Sequence, residues 1–239
     1  MSVHTPLLAV RGLALRLDGS GHVYDALLAL AQNKRYLLLG EATHGTSEFY
    51  RMRAGITQRL IRELGFDAVA IEGDWPDAWR THRYVCHETG GSAESALDRF
   101  ERFPTWMWRN REVLELVRWL RAHNEDRRPA QRAGFYGLDL YSLYRSADDV
   151  IRYLQAVDPK AAAEARTRYA ALDHVRDPQV YGYQVARALR PSARDAVQRQ
   201  LQELRRHGDT YLHDDGLRAL DAQFAAERNA AAVVNAEVY

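Results

Sequence analysis

Apolar positions in this chain follow two patterns, short unbroken runs and longer stretches repeating every three or four residues. Unbroken runs bounded by turn residues read as strands buried on both faces, whereas the longer repeat lays one apolar stripe along a helix. Three runs read as strands: Tyr36 to Leu39, closed by Gly40-Glu41; Ala68 to Ile71, closed by Glu72-Gly73-Asp74; and Gly134 to Leu138, ending on Asp139. A helical pattern covers His22 to Asn33, behind the Gly19-Ser20-Gly21 breaker. A longer one runs from Ser47 to Leu64 through Phe49, Met52, Ile56, Leu60 and Leu64, with Ser47 as the expected N-cap and Gly65 as the stop. Strand, helix and strand in alternation predict a parallel sheet with crossover helices.

Beyond Asp139 the chain reads as charged amphipathic helices, broken around Pro159, Pro178, Pro191 and Gly208. The expected fold is therefore α/β, a small parallel β-sheet with crossover helices plus a large α-helical portion. Residues 1–142 form the α/β portion that carries the catalytic loops, and residues 143–239 a helical portion packing on or over it. Three strands are few for so many helices, and the last helical run continues to Tyr239, so the expectation is a single truncated domain.

Composition narrows the partners. A net charge of +1 over 239 residues gives no electrostatic reason for nucleic acid or an anionic membrane. Cys86 is the only cysteine, which precludes an internal disulfide and fits a reducing, cytoplasmic setting. No apolar segment reaches membrane-spanning length, and the first residues lack a signal-peptide pattern.

The chemistry gathers at strand ends. Glu41, Glu72 and Asp139 each sit at or just past the carboxyl end of a predicted strand, the edge where parallel sheets build active-site crevices. His44 joins them from the Gly40-to-Gly45 loop, and Arg51 and Arg53 lie in the first two turns of the following helix. A carboxylate on Nδ1 fixes the imidazole tautomer and leaves Nε2 free to take a proton from water, while an Arg or helix N-terminus can stabilise an oxyanion. Two other readings compete. Strand-end acids also cap helices and pair with Arg, and Glu41, His44 and Glu72 have the ligand types of a metal site, although no His-Glu-x-x-His occurs.

Other motifs add little. Gly-x-Ser-x-Gly, a P-loop and Gly-x-Gly-x-x-Gly are all missing, which removes a serine-hydrolase elbow and the usual nucleotide fingerprints. Cys86 beside His87 reads as incidental. The aromatic run Phe103-Pro104-Thr105-Trp106-Met107-Trp108 reads as core packing, with a cleft for a bulky apolar ligand as the alternative. Small residues from Ala225 to Val234 predict a helix packed closely on a neighbour.

The segment Gly40-Glu41-Ala42-Thr43-His44-Gly45-Thr46-Ser47-Glu48-Phe49-Tyr50-Arg51, followed by Ile71-Glu72-Gly73-Asp74-Trp75, resembles the N-terminal half of the erythromycin esterase family. Tyr136-Gly137-Leu138-Asp139-Leu140-Tyr141 resembles that family's next strand motif. The resemblance implies a hydrolase that opens a macrolide lactone or similar bulky ester by water attack, without a serine nucleophile, cofactor or required metal, in a setting of antibiotic response. By position, His44 matches the general base, Glu41 the acid of the same motif, Glu72 the second essential carboxylate and Arg53 the active-site Arg. Arg51, Asp74, Asp139 and Tyr141 fall in the surrounding motifs and are the expected substrate-binding residues. Family members also carry a Trp-Ala-His-Asn-x-His motif in a second half, which these 239 residues lack; Ala122-His123-Asn124 imitates part of it on a helical pattern. A non-catalytic remnant or binding module, and a metal-dependent hydrolase, are the alternative functions.

Overall fold

The computed structural model describes residues 21–102, 104–170, 172, 178–212 and 216–238, with residues 8, 11, 12 and 14 before them. The chain divides into two compact units, Met1–Asp67 and Ala68–Tyr239. Residues 143–239 therefore share a unit with both strands.

In the first unit, α1 (Asp25–Ala31) packs against α2 (Ser47–Leu64) around Ala31, Ile56 and Leu60. Asn33 ends the first helical segment at a φ of 60°, a conformation that Asn tolerates. Helix α2 stops where its pattern ends: Gly65 takes a left-handed φ of 73° and its N–H donates to the Leu60 carbonyl. The residue preceding the helix is Thr46, so Ser47 is the first helical residue and not the cap.

The predicted strand Tyr36 to Leu39 is not a strand. Leu37 and Leu39 turn inward onto the small α1–α2 core, while Tyr36 is 76% and Leu38 94% exposed. An unbroken apolar run gives no information about a pairing partner, and among the described residues of this unit no strand is available to bond with it.

The second unit opens with β1 (Ala68–Asp74), followed by α3 (Trp75–Val85), α4 (Ala93–Leu97), a 3₁₀ turn (Thr105–Met107) and α5 (Arg111–Asn124). The chain then returns through β2 (Gly134–Asp139), which pairs with β1 in parallel. The described sheet thus has two strands, where the apolar runs predict three. It is also covered on one face more than the other: Ile71 and Gly73 are buried, whereas Ala68, Ala70 and Glu72 are exposed.

Register runs from Ala68 opposite Gly134 to Ile71 opposite Gly137, then shifts so that Asp74 lies opposite Asp139. Only glycine fits at that shift, because a Cβ on Gly137 would stand 2.4 Å from the Gly73 carbonyl oxygen.

Asn124 staples the entry to β2. Fully buried, it donates to the Val85 and Ala133 carbonyls at 2.9 Å each and accepts from the Ala133 N–H at 2.8 Å. Downstream come α6 (Leu143–Val157), α7 (Pro159–Tyr169), α8 (Pro178–Ala186), α9 (Arg194–Tyr211) and α10 (Leu217–Val238). Val150, Leu154, Ala162, Tyr169, Val197 and Val233 are among the buried residues of their shared core. Ala225, Ala226 and Ala230 are buried where α10 meets its neighbours, as their small size predicts.

Candidate active site

Both groups of predicted site residues are built by their own unit. In the first, the loop between the Tyr36-to-Leu39 segment and α2 folds Glu41 back onto His44, with Glu41 Oε1 at 2.6 Å from His44 Nδ1. Glu41 Oε2 lies 2.6 Å from the Arg53 guanidinium, which reaches back from the second turn of α2 and lies 4.9 Å over the Tyr50 ring. The Glu41 side chain is 11% exposed, against 47% for His44. The carboxylate is thus held at both oxygens by the protein, while the imidazole is half exposed.

This arrangement fixes the His44 tautomer, since a carboxylate on Nδ1 requires the proton there and leaves the Nε2 lone pair free. With both oxygens engaged, Glu41 suits an orienting carboxylate better than a metal ligand. Arg51 is exposed on α2, two positions before Arg53.

In the second unit, the carboxyl ends of β1 and β2 bring Glu72, Asp74, Asp139 and Tyr141 together. Asp74 is buried and bonded to Arg145 at 2.9 Å, and the same guanidinium bonds Asp77 at 2.7 Å. Asp139 lies opposite Asp74 and 3.8 Å from Arg102, whose guanidinium stacks 3.5 Å over the Tyr141 ring. Glu72 has an exposed side chain, and its backbone carbonyl accepts the Trp108 indole N–H at 2.8 Å.

Burial sets the electrostatics of this edge. It pushes the Asp74 carboxyl above its ordinary value against the pull of Arg145 and Arg102. Asp77 is pushed up to about 7, mainly by burial and further by the Asp74 charge, with Arg145 opposing. Asp139 is raised by burial and then by the charges of Asp74 and Glu72. The strand ends thus gather Glu72, Asp74, Asp77 and Asp139 beside the guanidiniums of Arg99, Arg102 and Arg145, a concentration of charge common in functional crevices.

Asp77, Arg102 and Arg145 escape sequence reasoning, as does the bond of Trp108 to the Glu72 carbonyl. Asp77 follows Asp74 by three residues at the start of α3, a spacing that also suits an ordinary first-turn acid. Arg145 meets Asp74 from 71 residues away, and no local pattern marks it among many Arg.

The Phe103-to-Trp108 run divides: Thr105 and Trp106 are exposed, whereas Met107 and Trp108 are half-buried and Trp108 packs near Phe100 and bonds the Glu72 carbonyl; Phe103 lies outside the described residues. Beside β2, an apolar cleft of about 660 Å³ is lined by Leu138, Asp139, Tyr141, Tyr181, Tyr183 and Val185.

Cys86 is buried, and burial pushes its thiol up to about 12, which disfavours the thiolate that a nucleophile needs. His82, Cys86 and Glu88 have donor atoms within 4.8 Å of one another. However, the Nδ1 of His82 accepts the Phe135 N–H, which leaves the remaining ring nitrogen protonated in the neutral ring. Stacked against Trp79 and pushed down to about 4 by burial, His82 belongs to the packing of α3 on β2. His123 stacks on Trp119 and its neighbour Asn124 is the staple described above, so the Ala122-His123-Asn124 segment has a structural role.

The family model described as erythromycin esterase matches residues 61–239, a span that includes the strand-end acids and begins after the Glu41–His44 loop. A Bacillus subtilis (strain 168) protein named "Putative hydrolase YbfO" is 27% identical over 137 residues, covering 57% of this chain and 29% of its own length.

Three solved structures share the fold. A succinoglycan biosynthesis protein is 23% identical with a TM-score of 0.65, covering 92% of this chain and 50% of its own. A Bacillus cereus protein is 19% identical with a TM-score of 0.68, covering 92% and 51%. A mutant of the erythromycin esterase EreC in its open conformation is 17% identical with a TM-score of 0.58, covering 90% and 53%. The chain spans about half the length of these structures and less of the curated relative. No described helix is long and apolar enough to cross a membrane.

Proposed function

Because this chain belongs to the erythromycin esterase family, we propose that it serves water-mediated hydrolysis of a bulky carboxylic ester, with His44 as general base. The observation that carries the proposal is the 2.6 Å contact of Glu41 with His44 Nδ1, which directs the free Nε2 lone pair away from the carboxylate. Nε2 takes a proton from water as the water oxygen bonds to the ester carbonyl carbon, giving a tetrahedral oxyanion. Collapse of that intermediate breaks the bond to the alcohol oxygen, and the imidazolium returns its proton to the departing alkoxide. The products are the acid and the alcohol, or a ring-opened hydroxy acid from a lactone.

Glu41 orients the base, and Arg53, paired with Glu41, positions that carboxylate in this reading. Glu72 is the second essential carboxylate that the resemblance assigns. Asp139 and Tyr141 border the apolar cleft of about 660 Å³, a volume suited to the apolar body of a macrolide lactone or a similar ester. In this reading the protein contributes to antibiotic response, and it requires no metal.

The test is mass spectrometry of erythromycin and a panel of bulky esters incubated with the protein. Gain of one water per ester, lost in His44→Ala with folding unchanged, is expected; consumption that persists in His44→Ala overturns the assignment. A second reading, a binding module without turnover, draws on the chain spanning half the length of its structural relatives. Binding of an ester with no hydrolysis by the wild-type protein favours it.

A further inference from the structure

A cavity of about 440 Å³ opens between α3, α4 and α6 in the second unit, and it shares no lining residue with the apolar cleft beside β2. Hydrogen bonds join its three walls. Thr81 on α3 donates to the Ala96 carbonyl of α4 at 3.0 Å. Arg145 on α6 donates to the Arg99 carbonyl, just past α4, at 3.2 Å and to Asp77 on α3 at 2.7 Å. The opening is thus braced by the fold on each side.

Its lining is rich in cations. Arg80, Arg83, Arg99, Arg145 and Arg152 face Asp77, Asp148 and Asp149, an excess of two guanidiniums over carboxylates. Arg145 is engaged by Asp74 and Asp77, Arg152 by Asp149, and Arg83 by Glu88. Among the described residues no carboxylate pairs with Arg80 or Arg99, and both are exposed. A lone solvated Arg is ordinary; here two stand on different walls of one braced cavity. Guanidinium forks match the oxygens of phosphate and carboxylate, and a cleft lined by one sign of charge concentrates the other.

We propose that this cavity is a binding site for a small anion bearing two or more phosphate or carboxylate groups, held by Arg80 from α3 and Arg99 from the end of α4. The volume is that of a small-molecule site, and the anion offsets the excess charge. Arg145, which also holds Asp74, leaves the site one guanidinium away from the strand-end acids. The proposal does not depend on the ester-hydrolase reading.

The test is isothermal titration at low ionic strength with pyrophosphate and with citrate, two probes that separate a phosphate ligand from a carboxylate one. At least one is expected to bind, with Kd weakened about tenfold or more when Arg80→Gln and Arg99→Gln are combined. Arg194→Gln with Arg199→Gln removes the same charge from the exposed face of α9, outside the cavity, and should change Kd by less than about twofold. Phenylglyoxal labelling of the wild-type chain, read by mass spectrometry, reports the same contact without a substitution. The bound anion should slow modification of Arg80 and Arg99 and leave Arg199 at its original rate. Binding of neither probe, equal weakening by the α9 pair, or undiminished labelling of Arg80 and Arg99 overturns the proposal.

Discussion

Glu41 spends one carboxylate oxygen on His44 and the other on Arg53, each at 2.6 Å, so the imidazole is oriented by a group that is itself anchored. His44→Ala removes the proposed base and should lower kcat by ~10²–10⁴. The ring is 47% exposed, so Tm should stay close to wild type. Glu41→Gln should lower kcat while leaving KM near its starting value, because the amide no longer enforces the tautomer. Initial rates against ester concentration, with a thermal melt on each variant, check both outcomes.

If Arg53 acts through Glu41, its loss must be redundant with the loss of that carboxylate. Arg53→Ala is expected to cost about tenfold in kcat. Added to Glu41→Gln, it should cost almost nothing further, since residues acting through one contact are not additive. A double variant whose losses multiply would show that the guanidinium touches the substrate directly.

How much of this was legible in the sequence depends on distance along the chain. Glu41 and His44 lie three positions apart on a glycine-bracketed loop, so spacing alone exposes the pair. The α2 stripe and its Gly65 stop are local as well. Tyr36 to Leu39 failed as a strand because hydrophobicity records burial and not pairing; only two of its residues turn inward. Arg145 was invisible for the opposite reason: its meaning comes from Asp74 and Asp77, which the fold delivers from about seventy residues away. The aromatic run carries no sign of which ring is exposed, Trp106, and which is half-buried, Trp108.

Asn124 carries more of the fold than its polar character suggests. Replacing it with Ala leaves the Val85 and Ala133 carbonyls and the Ala133 N–H buried without this partner. At ~1–3 kcal/mol for each unsatisfied group, the loss should be at least about 3 kcal/mol, read as a lower urea midpoint. Asn124→Asp should fail to rescue, because a carboxylate accepts but cannot donate to the two carbonyls.

Two buried groups should bend the pH dependence of stability in opposite directions. Asp77, raised from 3.8 to about 7, binds its proton more tightly in the folded state. Its contribution therefore falls as pH rises from about 4 to 7. His82, lowered from 6.5 to about 4, is kept neutral by folding, so its contribution is present above the unfolded value and is lost as pH falls toward 4. Between pH 4 and 6.5 the two slopes oppose, and wild-type Tm should vary less than either alone would give. Asp77→Asn, which keeps an oxygen for Arg145, should make Tm rise more steeply with pH in that window. His82→Gln should make it rise less or fall. Thermal melts at half-unit pH steps decide the matter, and parallel profiles for all three proteins would mean that neither group is held as its burial implies.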